Sequence, residues 1–218
     1  MKRKMRRIYF KKALLAHGTT GQKPRGTRTK IACTGEVDKY LEKSTSNSPW
    51  GKDTGMGQRR ELCQREGTDL SNCKLTTFPV ALFKVMRDAV ANIHFISLEN
   101  NELKSISGEF MTNFSQLREL NLAGNDLKRL PDEVKTLAHL TTINLARNKF
   151  SVFPQQLTEI TTLERINLEA NEIAEMPVEI LNSMPSLKSL NMKSNPLNSE
   201  SQAAGQTQLK YELLSAAE

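Results

Sequence analysis

The sequence predicts an α/β solenoid, with a curved parallel sheet on a concave face and short helical turns on a convex face. Three observations carry this expectation. An apolar pattern recurs every 23 or 24 residues, an asparagine closes each copy, and a proline marks the start of most return segments. A fixed period of this length is the mark of stacked repeats, each too small to bury its own apolar face. The regular segment spans 67–198, preceded by a basic region over 1–66 and followed by a C-terminal tail or short cap helix over 199–218.

The N-terminal region is a different physical object from the rest. Residues 1–66 hold 17 Lys+Arg against 6 Asp+Glu, hence +11, whereas 67–218 hold 14 against 18, hence −4; together these give the net +7. No apolar period persists before residue 67, and Gly18–Gly26 and Ser44–Gly57 are rich in chain-breaking residues, so 1–66 is expected to be disordered. Trp50, the only tryptophan, lies between Pro49 and Gly51 and reads as a linker residue. Lys2, Arg3, Lys4, Arg6, Arg7, Lys11 and Lys12 all precede the first acid, Glu36. Such a run suits a nuclear-localisation or nucleic-acid patch, a tether to anionic membrane, an organelle transit peptide, or a solvated tail with no role. No apolar run approaches the ~18 residues of a membrane span, and none near the N-terminus has the form of a secretory signal. Cys33, Cys63 and Cys73 lack metal-ligand spacing, and an odd, low count suits a reducing compartment. The expected location is cytoplasmic, with a nuclear one open to the basic tail.

The first repeat is degenerate. Leu70, Cys73, Leu75, Phe78 and Pro79 fit the pattern, with Cys73 in the asparagine position and Thr68 where an apolar residue belongs. Terminal repeats commonly depart from the pattern because they cap an open core. Val80, Phe83, Met86, Val90 and Ile93 then follow helical spacing, which predicts a helix over Pro79–Ile93. Five regular copies come next: Ile93, Ile96, Leu98, Asn101, Leu103; Leu117, Leu120, Leu122, Asn125, Leu127; Leu140, Ile143, Leu145, Asn148, Phe150; Leu163, Ile166, Leu168, Asn171, Ile173; and Leu187, Leu190, Met192, Asn195, Leu197. The alternation at each centre predicts a short strand with one buried face. Parallel strands need a long return, which the rest of each repeat supplies.

The asparagine column, Asn101, Asn125, Asn148, Asn171 and Asn195, is expected to be a structural ladder. Where the chain turns inward after each strand, backbone donors and acceptors enter the core, and an amide can satisfy both kinds. On the convex side Leu130-Pro131, Phe153-Pro154 and Met176-Pro177 share one place, since Pro suits the first helical position. The next anchors are read as Phe110 and Phe114, Val134 and Leu137, Leu157 and Ile160, and Ile180 and Met184, with gaps of 4, 3, 3 and 4. The extra residue of the 24-residue repeats thus belongs to the convex turn. Beyond Asn198, Leu209, Leu213 and Leu214 suggest a helix over Gln208–Ala217.

The pattern Leu-x-x-Leu-x-Leu-x-x-Asn-x-Leu resembles the leucine-rich-repeat family, over about residues 70–198 and not over 1–66. That resemblance implies a curved leucine-rich-repeat solenoid that binds protein, and it implies no enzymatic activity.

The residues themselves offer no catalytic set. His17, His94 and His139 are scattered, no Gly-rich phosphate loop is formed, and neither cofactor nor metal is expected. The outward columns of the concave face are the candidate site. Ser97, Asn121, Asn144, Asn167 and Asn191 form the central column, either as a binding surface or as soluble, cross-strand filler. Phe95, Glu119, Thr142, Arg165 and Ser189 flank it on one side; Glu99, Ala123, Ala146, Glu169 and Lys193 flank it on the other. Aromatic and Arg side chains dominate interface hot spots, which selects Phe95, Arg147 and Arg165 within the candidate set completed by Glu119, Asn121, Asn144, Asn167 and Asn191. The charges are mixed, with no basic stripe, so a protein partner is expected, and nucleic acid only through the basic tail. The chain is expected to be a monomer.

Overall fold

The computed structural model describes residues 28–30, 67–79, 83, 90–204 and 209–215. Among them, eight three-residue strands form one parallel sheet in chain order: β1 (Arg28–Lys30), β2 (Gly67–Asp69), β3 (Phe95–Ser97), β4 (Glu119–Asn121), β5 (Thr142–Asn144), β6 (Arg165–Asn167), β7 (Ser189–Asn191) and β8 (Glu212–Leu214). The central residues lie in register, from Thr68 through Ile96, Leu120, Ile143, Ile166 and Leu190 to Leu213. The apolar side chains of this line point inward, and Ile96, Leu120, Ile143, Ile166 and Leu190 are almost wholly buried. One continuous core runs from Leu70 to Tyr211. Each Leu or Ile it buries contributes roughly 1.5–3 kcal/mol before the entropy of ordering the chain is subtracted.

Repeat length sets the kind of convex turn. The two 24-residue steps carry six-residue α-helices, α1 (Gly108–Asn113) and α2 (Val178–Ser183). The two 23-residue steps carry five-residue 3-10 turns, η1 (Asp132–Thr136) and η2 (Gln155–Glu159). A 3-10 turn rises faster per residue, so it covers a similar span with one residue fewer and leaves the strand register unchanged. Pro131, Pro154 and Pro177 stand at the N-terminal caps of η1, η2 and α2. At α1 Ser107 takes that place and accepts from the Phe110 N–H at 3.3 Å. The anchor of α2 differs from the sequence expectation. Leu181 is buried and Ile180 is 44 % exposed, so the 3-residue gap to Met184 matches the shorter repeats. The added residue enters before the anchor, where the helix opens, and it shifts the inward face by one position.

Both ends of the sheet depart from expectation. Within the basic segment, Arg28–Lys30 is extended and pairs with β2, where no structure was expected. Without it the β2 edge would present unpaired N–H and C=O groups, which sheets tend to cover. The other residues of 1–66 lie outside the described ones. At the C-terminus, Ser199–Ala204 forms α3, but Glu212–Leu214 is a strand and not part of a helix over 208–217. Leu213 stands 23 residues after Leu190 and continues its line, so the repeat period outweighs the weak helical spacing of the leucines. Of the helix expected over 79–93, Phe83 is helical and Val90–Asn92 forms a 3-10 turn; the remainder lies outside the described residues. Cys73 is disulfide-bonded, whereas the odd, low cysteine count suits a reducing compartment.

Tyr211 anchors β8. Its side chain is buried, and burial pushes the phenol up from 10.0 to about 12. The folded state therefore disfavours the phenolate. The contribution of this residue to stability is intact below pH 10.0 and is lost as pH rises toward about 12. In urea unfolding, Tyr211→Phe is expected to lose less stability than the parent chain between about pH 9 and about pH 11.5, and parallel losses would refute this.

Candidate functional site

Two asparagine columns run side by side, and their hydrogen bonds give them different jobs. In the inner column each Oδ1 accepts from a backbone N–H of the preceding repeat. Asn125 takes Leu103 at 3.1 Å, Asn148 takes Leu127 at 3.0 Å, Asn171 takes Phe150 at 3.1 Å and Asn195 takes Ile173 at 3.0 Å. Asn101 takes both Cys73 and Leu75, each at 3.0 Å. Each Nδ2 donates to the carbonyl after its own strand and to the equivalent carbonyl one repeat earlier, as Asn148 does to Leu145 and Leu122, both at 3.0 Å. Asn101, Asn125, Asn148 and Asn171 are buried and Asn195, the last rung, is half-buried.

The turn that delivers these amides is left-handed. Asn72, Asn100, Gly124, Arg147, Ala170 and Ser194, each immediately before Cys73 or a ladder asparagine, have φ between 53° and 66°. The conformation costs an L-residue roughly 1–2 kcal/mol, so the ladder holds it against a local preference. Gly124 is the one glycine in the series. A Cβ there would lie 2.4 Å from Asn100 Oδ1, an oxygen that Arg147 reaches at 3.4 Å.

The outer column belongs to the concave face. Asn121, Asn144, Asn167 and Asn191 are half-buried, and each Oδ1 accepts from the backbone N–H two residues on, at 3.1 Å in all four. This is an Asx turn that closes the end of each strand. The amide nitrogens differ. Asn121 donates to Glu99 Oε2 at 3.0 Å and Asn191 donates to Glu169 Oε2 at 2.9 Å. The amide nitrogens of Asn144 and Asn167 have no protein partner among the described residues.

Three residues expected to project outward are instead buried: Ser97, Ala123 and Ala146 are at most 7 % exposed. Small side chains sit flush with the sheet while the longer residues beside them stand above it. Arg147 reaches two repeats back to pair with Glu99 at 3.1 Å. Both partners are substantially exposed, so the pair adds about 0–1 kcal/mol. Phe95 is half-buried, and a Cβ on Gly67 would lie 3.0 Å from its ring. Arg165 is exposed and has no ion pair among the described residues. The register brings Phe95, Glu119, Thr142 and Arg165 into one row, so Phe95 and Arg165 stand three strands apart, about 14 Å. The preferred aromatic and the preferred cation therefore do not form one hot spot. Thr142 Oγ1, between Glu119 and Arg165, is buried without a protein hydrogen-bond partner.

The other charged pairs lie off this face. Lys149, hydrogen-bonded to Asp126 at 2.6 Å, holds that carboxyl below the usual carboxylate range, and Asp126 in turn raises Lys149. Lys188 at 2.9 Å does the same for Glu164. His94 is half-buried, its Nδ1 2.9 Å from the Gln116 carbonyl, and His139 is exposed. Among the described residues no helix is long and apolar enough to cross a membrane.

A strand-per-repeat parallel sheet, an internal asparagine ladder and convex 3-10 or α turns define a leucine-rich-repeat solenoid. The chain belongs to that family: the leucine-rich repeat region matches over residues 71–210. It is 57 % identical over 150 residues to leucine-rich repeat-containing protein 20 of Mus musculus and of Homo sapiens, covering 69 % of this chain and 82 % of each relative. Among solved structures, a leucine-rich-repeat protein of Leptospira interrogans aligns with TM-score 0.57 at 26 % identity, over 67 % of this chain and 36 % of that one. An internalin of Listeria monocytogenes aligns with TM-score 0.55 at 18 % identity, over 75 % and 46 %. The family match reaches residue 210, beyond the last regular repeat. Leucine-rich-repeat solenoids are generally protein-interaction modules without enzymatic activity.

Proposed function

We propose that this protein is a monomeric scaffold that binds a protein partner on its concave face. The observation that carries this reading is preorganisation. Outward side chains on β3 to β7 are held in register by parallel pairing, and those of the central column are fixed by Asx turns at four strands. Groups fixed before binding lose little entropy on binding, which favours recognition by a shallow face. The test is replacement of Phe95 and Arg165 together by Ala. Partner recovery in proximity labelling and pull-down is expected to fall while the solenoid remains folded by circular dichroism. Recovery of the same partners at the same yield would remove the concave face from consideration.

A second reading rests on the charge division, +11 before residue 67 and −4 after it. A basic tail that neutralises phosphates on nucleic acid or membrane loses binding steeply between about 50 and 200 mM salt, whereas a contact made by the solenoid persists.

A further inference from the structure

We propose that the centre of the concave face is a carboxylate-binding slot for an acidic segment of the partner protein, formed by Asn144, Asn167 and Arg165 beside Ala123 and Ala146. This rests on the concave-face reading above and gives the partner its chemistry.

The chain itself shows what the outer amides bind. Each outer asparagine has its oxygen fixed by the backbone two residues on, which sets the direction of its Nδ2. Where the preceding repeat offers a glutamate, that Nδ2 donates to it: Asn121 to Glu99 and Asn191 to Glu169. Where the preceding repeat offers Ala123 or Ala146, at Asn144 and Asn167, the same donor is left without a carboxylate. The column reads Glu99, Ala123, Ala146, Glu169, so the two open places are adjacent and are bounded at each end by one already filled.

Asn144 and Asn167 are register partners on neighbouring strands, about 4.8 Å apart. One incoming carboxylate lying between them can accept from one amide at each oxygen. Arg165 is two residues before Asn167 on the same face of β6 and supplies the positive charge that strengthens such bonds. These three groups can donate; of the acids around them, Glu99 and Glu169 are already engaged with Asn121 and Asn191, and Glu119 lies two strands from Arg165 in the adjoining row. The net −4 after residue 66 does not steer acids inward, so selectivity comes from contact geometry.

The test uses the full chain, 15N-labelled, titrated with a glutamate-rich peptide and with a glutamine-rich peptide of equal length. The glutamate peptide is expected to shift the side-chain amide resonances of Asn144 and Asn167 and to leave those of Asn121 and Asn191 in place; the glutamine peptide shifts neither pair. Two variants close the slot by different routes. N144D/N167D keeps the oxygen that closes each strand and replaces the donor with a repelling oxygen. A146E supplies in cis the glutamate found at positions 99 and 169. Each is expected to weaken the glutamate peptide at least about tenfold, with unshifted resonances for the ladder asparagines as proof of fold. No binding of the glutamate peptide, equal response to both peptides, or unchanged affinity in either folded variant overturns the slot. Partner capture that survives N144D/N167D but fails with the Phe95 and Arg165 replacement overturns the slot and leaves the concave-face reading standing.

Discussion

Phe114→Ala is expected to lower stability by about 3–5 kcal/mol, the range for truncating a fully buried aromatic side chain. Phe114 is 0 % exposed and meets three other rings, with centroid distances of 5.0 Å to Phe110, 5.6 Å to Phe83 and 5.9 Å to Phe78. Phe78 meets Phe110 edge-on at 4.8 Å. These four rings pack at the 28-residue step from Thr68 to Ile96, against 23 or 24 residues for the later steps. Stability in stacked repeats is shared between each repeat and its neighbours, so the loss falls on the N-terminal repeats and their coupling to the rest. Urea unfolding is expected to show a lower midpoint and, if the N-terminal repeats detach first, a shallower or split transition. A midpoint within the error of the parent chain would show that the ring cluster is not what holds this end.

How much of this was legible in the sequence follows from how strictly each position is constrained. The strand centres from Ile96 to Leu190 face a continuous core, so apolar identity and spacing survive in every copy. Leu213 obeys the same 23-residue step, but Tyr211-Glu212-Leu213-Leu214 lacks the following asparagine and the conserved-looking frame around it. Three leucines at helical spacing then mislead. Ile180 and Leu181 show a second limit. Both are apolar, and only the helix type at α2 decides which turns inward. Arg28–Lys30 carries no apolar signal, because its described contribution is backbone pairing with β2.

The concave face was legible as columns but not as contacts. Alternation fixes which residues lie on that side, and Glu99, Ala123, Ala146, Glu169 and Lys193 could be aligned from the repeat alone. Their meaning depends on depth. The alanines sit flush and expose what lies beside them, whereas the glutamates reach across to the next strand's asparagine. The choice between filler and binding surface for the outer asparagines also divides by atom. Their oxygens close strand ends in every repeat, and only the nitrogens of Asn144 and Asn167 remain available for anything else. Phe95 and Arg165, selected by residue type, are separated by strand spacing that composition does not record.

Asn148→Ala is the sharpest test of the inner ladder, with an expected loss of about 3 kcal/mol. The substitution strips the partner from the Leu127 N–H and removes the donor shared by the Leu122 and Leu145 carbonyls, all at 3.0 Å and buried. An unsatisfied buried group costs roughly 1–3 kcal/mol, and partial relaxation keeps the three from adding in full. The left-handed turn at Arg147, φ 54°, loses the contact that holds it, so the strand end is expected to fray as well. Asn144→Ala is the matched control: it removes one Asx bond to the Ala146 N–H on a half-buried side chain. Its cost is expected to be about 1 kcal/mol or less. Asn148→Asp separates the two halves of the amide. It retains an acceptor for Leu127 but aims a carboxylate at carbonyl oxygens, so it is expected to be at least as damaging as the alanine. Chemical denaturation of the three variants checks this order. Equal midpoints for the alanine variants at 144 and 148 would mean that the two asparagine columns are energetically interchangeable, contrary to their burial and bonding.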